Sequence, residues 1–174
     1  MEGIVNKIPI AILPLALCIL PAFGQTKMGS TMSDKSFVDF AAQTDMTEAH
    51  IGQVAQDQAE GQGVKDFGTT LTTDHTKDYS MLSTAAMSAG VDVPKGLDAK
   101  HDAMIAPLAK MKGKAFDRRF EHEMVSGHET AIAEYNRYIR DGNNAALKTY
   151  ATNALPTLEK HLSDAKKLES EKSM

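Results

Sequence analysis

Four stretches of the sequence place apolar side chains at intervals of three and four residues. They cover about residues 36–60, 64–89, 116–140 and 145–168. This spacing puts the apolar residues on one face of an α-helix, whereas a half-buried β-strand would need strict alternation. Each such helix must bury its apolar face against other helices. The sequence therefore predicts an all-α fold, and four helices of this length predict a four-helix bundle.

The connections between these helices indicate their order. Gly61–Gln62–Gly63 and Asp141–Gly142–Asn143–Asn144 have the composition of tight turns, which make the helices on either side antiparallel neighbours. Residues 90–115 form a much longer connection, with a short predicted helix from about Leu97 to Leu108 that Pro107 limits. A helix of about 26 residues is ~39 Å long, so this crossover can run the length of the bundle. A long crossover between helices 2 and 3 is typical of ferritin-like bundles.

The first 24 residues have the features of a signal peptide. A nearly unbroken apolar run follows Lys7, contains several prolines and ends in Ala22-Phe23-Gly24. The run is too short and too rich in proline for a good transmembrane helix, and cleavage is expected before Gln25. Cleavage would also remove Cys18, the single cysteine, and with it disulfides and thiolate metal sites. We therefore expect a soluble mature protein in the periplasm or outside the cell.

The remaining chain divides into three predicted parts. Residues 25–35 are small and polar and predict a flexible linker, residues 36–168 form the bundle, and residues 169–174 are a charged tail expected to fray. Pro156 lies inside the fourth helical pattern and predicts a kink there or a break near Asn153. The formal net charge of −4 gives no electrostatic reason to expect nucleic acid binding.

Each of the four apolar faces contains one side chain that can bind a metal ion: Glu48, His75, His128 and His161. Counted from the first turn, Glu48 and His75 differ by one residue, so they should face each other at nearly one height. Counted from the second turn, His128 and His161 differ by three residues, or roughly 4–5 Å along a helix. The second pair is therefore expected to meet less directly.

One carboxylate and three imidazoles would suit Zn²⁺, Fe²⁺, Mn²⁺ or Cu²⁺. Nearby carboxylates could accept hydrogen bonds from the imidazole N–H groups: Asp74, Asp78, Glu121 and Glu159. The alternative is that the four residues form a buried polar network without any metal. The ligand pattern also differs from a di-iron site, which needs Glu-x-x-His on two helices. Thr72 and Leu158 occupy the position three residues before His75 and His161.

At these residues the chain resembles a bacterial family, domain-of-unknown-function family 4142, whose members are often labelled outer membrane proteins. The matching pieces are Glu48 with Gly52, Val64-Lys65-Asp66-Phe67, Asp74-His75, residues 90–94, Phe116-Asp117, Met124-Val125 with His128, and residues 155–162. The resemblance covers about residues 36–168 and implies a ferritin-like bundle exported to the periplasm. It implies no particular activity. Gly127 departs from the family, which tends to have Asp before this histidine.

These observations favour an exported ferritin-like bundle, without expected enzymatic activity, that binds one transition metal ion between its helices. The alternative is a periplasmic binding module for an envelope partner or a stress response, in which the same four residues form a polar network. A redox enzyme that uses a bound metal is a third hypothesis.

Overall fold

The computed structural model describes residues 31–171, and this part of the chain contains five helices and no strand. The helices are α1 (Asp34–Gln58), α2 (Gln62–Ala89), α3 (Ala99–Leu108), α4 (Gly113–Asp141) and α5 (Ala145–Glu171). The signal peptide predicted for residues 1–24 and its cleavage position lie outside the described residues. So do most of the predicted linker and the last three residues of the predicted tail.

The helix ends follow from capping residues. Ser33 accepts a hydrogen bond from the backbone N–H of Ser36 at 3.1 Å, so α1 begins two residues earlier than its apolar pattern. Gly90 ends α2 in the left-handed conformation, with φ 68°, which glycine adopts without strain. The predicted break near Asn153 is absent, because α5 continues through Pro156. The proline is exposed, so water can hydrogen-bond the backbone carbonyl that it leaves without a donor.

The helices pack in the order α1, α2, α5, α4 around the bundle. The tight turns join α1 to α2 and α4 to α5, and further contacts join α2 to α5 and α1 to α4. Helices α2 and α4 therefore lie diagonally across the bundle, and residues 90–112 connect them along its length. Within this connection α3 packs against α1 and α4. The predicted all-α, ferritin-like bundle with a long crossover that contains a short helix is confirmed.

Two apolar clusters fill the interior. The Phe37 cluster lies towards the α4–α5 turn and includes Leu82, Tyr135 and Leu147. The Phe120 cluster lies towards the α1–α2 turn and includes Ile51, Leu71 and Met124. Buried polar residues lie between the two clusters, at one level of the bundle. Among residues 31–171, no helix is long and apolar enough to cross a membrane.

Candidate metal centre

The polar layer receives one side chain from each long helix. Glu48 comes from α1, His75 from α2, His128 from α4 and His161 from α5. His128 and His161 have no exposed surface, and His75 and Glu48 expose 2% and 5%. Buried ionisable side chains are rare unless they have partners. These four residues therefore need an explanation that an ordinary apolar core does not supply.

The three imidazoles face one another in a compact triangle. Ring centroids are 5.8 Å apart for His75 and His128, and 5.3 Å apart for each of the other two pairs. One nitrogen from each ring can be chosen so that all three atoms lie within 4.8 Å of one another. Two nitrogens bound at ~2.1 Å to a tetrahedral ion are ~3.4 Å apart. A small contraction of the triangle would therefore bring all three rings to one ion.

The carboxylate of Glu48 lies beside two of these rings. Its Oε2 is 3.2 Å from Nε2 of His75 and 3.1 Å from Nε2 of His128. None of these three atoms has a hydrogen bond of acceptable geometry, although all three are buried. The side chain of Glu48 is thus within reach of the same central point as the imidazoles.

The outer nitrogen of each imidazole has a hydrogen-bond partner. Nδ1 of His75 is 2.9 Å from Oδ1 of Asp45, and Nδ1 of His128 is 2.8 Å from the carbonyl oxygen of Met124. Nε2 of His161 is 3.0 Å from Oδ2 of Asp74. The carbonyl of Met124 and the ionised carboxylates of Asp45 and Asp74 only accept, so the ring nitrogens donate to them. In a neutral ring, the opposite nitrogen then has the lone pair.

Those opposite nitrogens are the unpaired ones. Nε2 of His75, Nε2 of His128 and Nδ1 of His161 are buried without a well-aligned hydrogen bond, and only the first two have an ion-pair neighbour, Oε2 of Glu48. A buried polar atom without a partner costs about 1–3 kcal/mol, and here three occur in one layer. Metal-binding histidines have this arrangement, in which an outer acceptor fixes the ring and the inner nitrogen is left to the ion.

Sequence comparison establishes the family. The model of the domain of unknown function DUF4142 matches residues 21–168. The chain belongs to the DUF4142 family. No curated protein matches the sequence.

Solved structures that resemble this DUF4142 chain in fold include the following two. The first is CopM in its Cu(II)-bound form, with a TM-score of 0.67 and 16% sequence identity over 82% of this chain and 99% of CopM. The second is the DUF305 protein of Streptomyces coelicolor, described as secreted, with a TM-score of 0.64 and 12% identity over 83% of this chain and 95% of that one. At these identities the likeness concerns the fold.

Burial and neighbouring charges shift the pKa values of the candidate ligands in opposite directions. Burial raises the pKa of Glu48, but His128 and His75 outweigh it and hold that pKa below its usual value. Burial lowers the pKa of His75, whereas Glu48 and Asp45 raise it to about 10. Burial lowers the pKa of His161 to about 4, against the hydrogen bond with Asp74. Without an ion, Glu48 therefore keeps a proton on Nε2 of His75, and a metal ion that binds there must displace this proton.

The predicted hydrogen-bond acceptors are only partly the observed ones. Asp74 contacts His161 as expected, whereas Asp78 accepts from the hydroxyl of Tyr150 at 2.7 Å and Glu159 is exposed. Glu121 is buried, with 2% of its surface exposed. Asp45 is the acceptor that the sequence analysis missed. Its signal was its position three residues before Glu48, which places both on one side of α1.

The family's usual Asp at position 127 is not needed to orient His128. The carbonyl of Met124, one turn earlier on α4, accepts from its ring instead. A Cβ atom at Gly127 would lie 3.4 Å from Oε1 of Glu48, so this position faces the polar layer. The three other histidines are elsewhere: His50 and His122 are exposed, and His101 is on α3, bonded to Asp98.

Proposed function

We propose that this DUF4142 protein is an exported metal-binding bundle that holds one divalent transition metal ion between its four long helices. His75, His128 and His161 would supply nitrogen ligands, and Glu48 would supply an oxygen ligand. The observation that supports this proposal is the set of buried, unpaired inner nitrogens on rings whose outer nitrogens all have acceptors. An ion at the centre would pair each of them.

The donor set favours particular metals. Three imidazoles and a carboxylate suit Zn²⁺ and Cu²⁺ better than Mg²⁺ or Ca²⁺, which prefer oxygen ligands. Among divalent first-row ions, Cu²⁺ binds such sites most tightly. CopM, which shares the fold, has been solved in a Cu(II)-bound form. We therefore expect Cu²⁺ to bind with the highest affinity, followed by Zn²⁺, with Fe²⁺ and Mn²⁺ weaker.

Export is the second part of the proposal. The first 24 residues have the composition of a signal peptide with a cleavage position before Gln25. The DUF305 protein of similar fold is described as secreted. In the periplasm or outside the cell the protein would meet metal ions that cytoplasmic thiols do not compete for.

Metal stoichiometry tests the site. We would measure Cu²⁺ and Zn²⁺ binding by elemental analysis and competition titration for the untagged protein and for the double variant His75→Ala, His161→Ala. The expected result is one ion per chain, lost in the double variant. His50→Ala, His122→Ala is the matched control, because both side chains are exposed and outside the polar layer. Equal binding by both double variants would place the ion elsewhere and disprove the site.

A buried polar network without metal is the second candidate function, in a module that binds an envelope partner. Its support is the charge balance between Glu48 and His75, which lowers the pKa of the first and raises that of the second. This network would fix the register of the helices. It predicts that no ion binds after reconstitution with Cu²⁺, Zn²⁺, Fe²⁺ or Mn²⁺, and that a partner is found instead.

A further inference from the structure

The proposed ligands are enclosed by the bundle, so an ion must reach them by a particular route. Glu48, His75, His128 and His161 expose 5% or less of their surface. The Phe37 and Phe120 clusters close the layer from both ends. An ion must therefore enter sideways, between two neighbouring helices. The following inference rests on the metal site proposed above.

A cavity of about 150 Å³ opens between α2 and α5 at the level of the polar layer. This is room for several water molecules, or for an ion with part of its hydration shell. Its lining comes from both helices: Asp74, Lys77, Asp78 and Met81 from α2, and Asn153, Ala154 and Thr157 from α5. We call this cavity the α2–α5 cavity.

Asp74 connects the α2–α5 cavity to the buried site. Its side chain is 38% exposed, whereas the imidazole of His161, 3.0 Å away, is fully buried. Behind that ring, Nδ1 of His161 is unpaired within the bundle. Of the groups that accept from the three imidazoles, Asp45 has no exposed side-chain surface. At Asp74, only one carboxylate and one imidazole ring therefore separate solvent from a ligand atom.

On the α2 side of this cavity, three side chains have atoms that can bind a metal ion. Asp74, Asp78 and Met81 follow at intervals of four and three residues, which places them on one face of α2. Met81 is 38% exposed, which is unusual for a residue that normally fills apolar cores. Carboxylate oxygens and a thioether together can hold Cu²⁺ or Cu⁺ weakly, and weak binding is what a transfer route requires.

A second cavity competes as a route. It has about 240 Å³, lies between α1 and α2, and is lined by Asp45 and His75 among others. The hydroxyls of Thr76 and Ser80 in its wall donate to helix carbonyls at 2.7 and 3.1 Å, and the carboxylate of Asp45 is buried. Among its lining residues this cavity thus presents no exposed carboxylate to a cation, whereas the carboxylate of Asp74 in the α2–α5 cavity is exposed.

We propose that the α2–α5 cavity is the port through which a divalent metal ion reaches the buried site, and that His161 is the ligand that receives it. The ion is first held near Asp74 and Met81. Rotation of the His161 ring away from Asp74 would then open the way inwards, where Nδ1 of His161 would bind the ion together with Glu48, His75 and His128. His161 is suited to this step, because its outer partner is the exposed one.

Binding kinetics test the port separately from the site. The protein has four tyrosines and no tryptophan, so stopped-flow quenching of tyrosine fluorescence by Cu²⁺ reports uptake by the metal-free protein. Thr157→Phe fills the α2–α5 cavity without touching a ligand. Ser80→Phe obstructs the competing cavity. Thr152→Phe is the matched control, because Thr152 is exposed on α5 and does not line the port.

We expect Thr157→Phe to lower the Cu²⁺ association rate constant at least about tenfold, with the bound stoichiometry unchanged, since only access is altered. Ser80→Phe and Thr152→Phe should remain within twofold of the unsubstituted protein. Asn153→Phe fills the same cavity from another position and decides the outcome if Thr157→Phe misfolds. Unchanged association in a folded cavity-filling variant, or slowing by Ser80→Phe alone, would overturn the port. Failure of the unsubstituted protein to bind Cu²⁺ would overturn the site as well.

Discussion

Nδ1 of His75 and Oδ1 of Asp45 lie 2.9 Å apart, with both side chains almost completely buried. Asp45 is on α1 and His75 on α2, so this hydrogen bond joins the two helices and orients the ring. It directs Nε2 of His75 to the centre of the polar layer, 3.2 Å from Oε2 of Glu48. Burial raises the pKa of the Asp45 carboxyl, against the hydrogen bond from His75.

Asp45→Asn should weaken metal binding without removing the site. The amide oxygen of Asn still accepts from Nδ1–H, but it makes the imidazole less basic than a carboxylate does. Loss of such an outer partner costs about 10–100-fold in metal affinity, and retention of the amide acceptor places the expected loss near tenfold. Competition titration with a chelator of known affinity measures it. Asp57→Asn, exposed on the same helix, is the control, and equal affinities for all three proteins would contradict a role for Asp45.

Metal binding at the proposed site, which includes His161, should raise the thermal stability of the protein. An ion at one hundred times its dissociation constant stabilises the folded state by about 2.7 kcal/mol, which is about 5–10 °C in Tm for a domain of this size. His161→Leu should abolish the shift. It should also leave the metal-free protein as stable as before or more so, because it removes the buried, unpaired Nδ1, and water can reach the partly exposed carboxylate of Asp74 that loses its partner. Circular dichroism melts with Cu²⁺ and with a chelator give both quantities. A full shift in His161→Leu would mean that the ion binds elsewhere.

Counting residues from the turns predicted the level of the polar layer, but it overestimated the offset between His128 and His161. His128 lies three residues nearer the second turn than His161, yet their ring centroids are only 5.3 Å apart. The reason is the direction of helical side chains, which lean towards the N-terminus of their own helix. On α4 this moves the His128 ring away from the turn, and on α5 it moves the His161 ring towards it. The two shifts reduce the predicted offset.

The apolar pattern could not identify Asp45 as a buried acceptor. It indicated a face of α1 through Thr44 and Glu48, whereas Thr44 is only half-buried and Asp45 is 1% exposed. The rotation of α1 depends on how closely it approaches α2, and that distance is set by tertiary packing. The helices, the crossover and the four polar positions follow from local periodicity. The hydrogen bonds around them depend on packing and are not encoded at fixed spacings.

Gly68→Ala and Gly127→Ala should change stability in opposite directions, because of the two only Gly68 lies where α1 and α2 approach closely. A Cβ at Gly68 would lie 2.7 Å from the carbonyl oxygen of Gly52 and 2.8 Å from Cβ of Ala55. Gly68→Ala should therefore lower the free energy of unfolding by about 1–3 kcal/mol. A Cβ at Gly127 meets only the flexible end of Glu48 at 3.4 Å, so Gly127→Ala should raise it by about 0.5–1 kcal/mol. Urea unfolding of the metal-free proteins measures both, and changes of equal sign would refute this packing argument.

Asp117 on α4 holds the backbone of the α1–α2 turn. Gly61 precedes α2 and has no side chain to accept a hydrogen bond. The buried carboxylate of Asp117 accepts instead from the backbone N–H of Glu60 at 3.0 Å and of Gly61 at 2.9 Å. Asp117→Ala leaves these donors without their acceptor and should cost about 2–3 kcal/mol of stability, since hydrogen bonds to a charged group contribute 1.5–3 kcal/mol.

Asp117→Asn keeps one accepting oxygen, so it should lose less stability than Asp117→Ala. Asp66→Ala, on the exposed face of α2, should change stability by no more than about 0.5 kcal/mol. Urea unfolding gives these free energies, and hydrogen exchange should be faster at the amides of Glu60 and Gly61 in Asp117→Ala. An unchanged exchange rate at both amides would show that the carboxylate does not protect them, and that Asp117 is not what fixes the α1–α2 turn against α4.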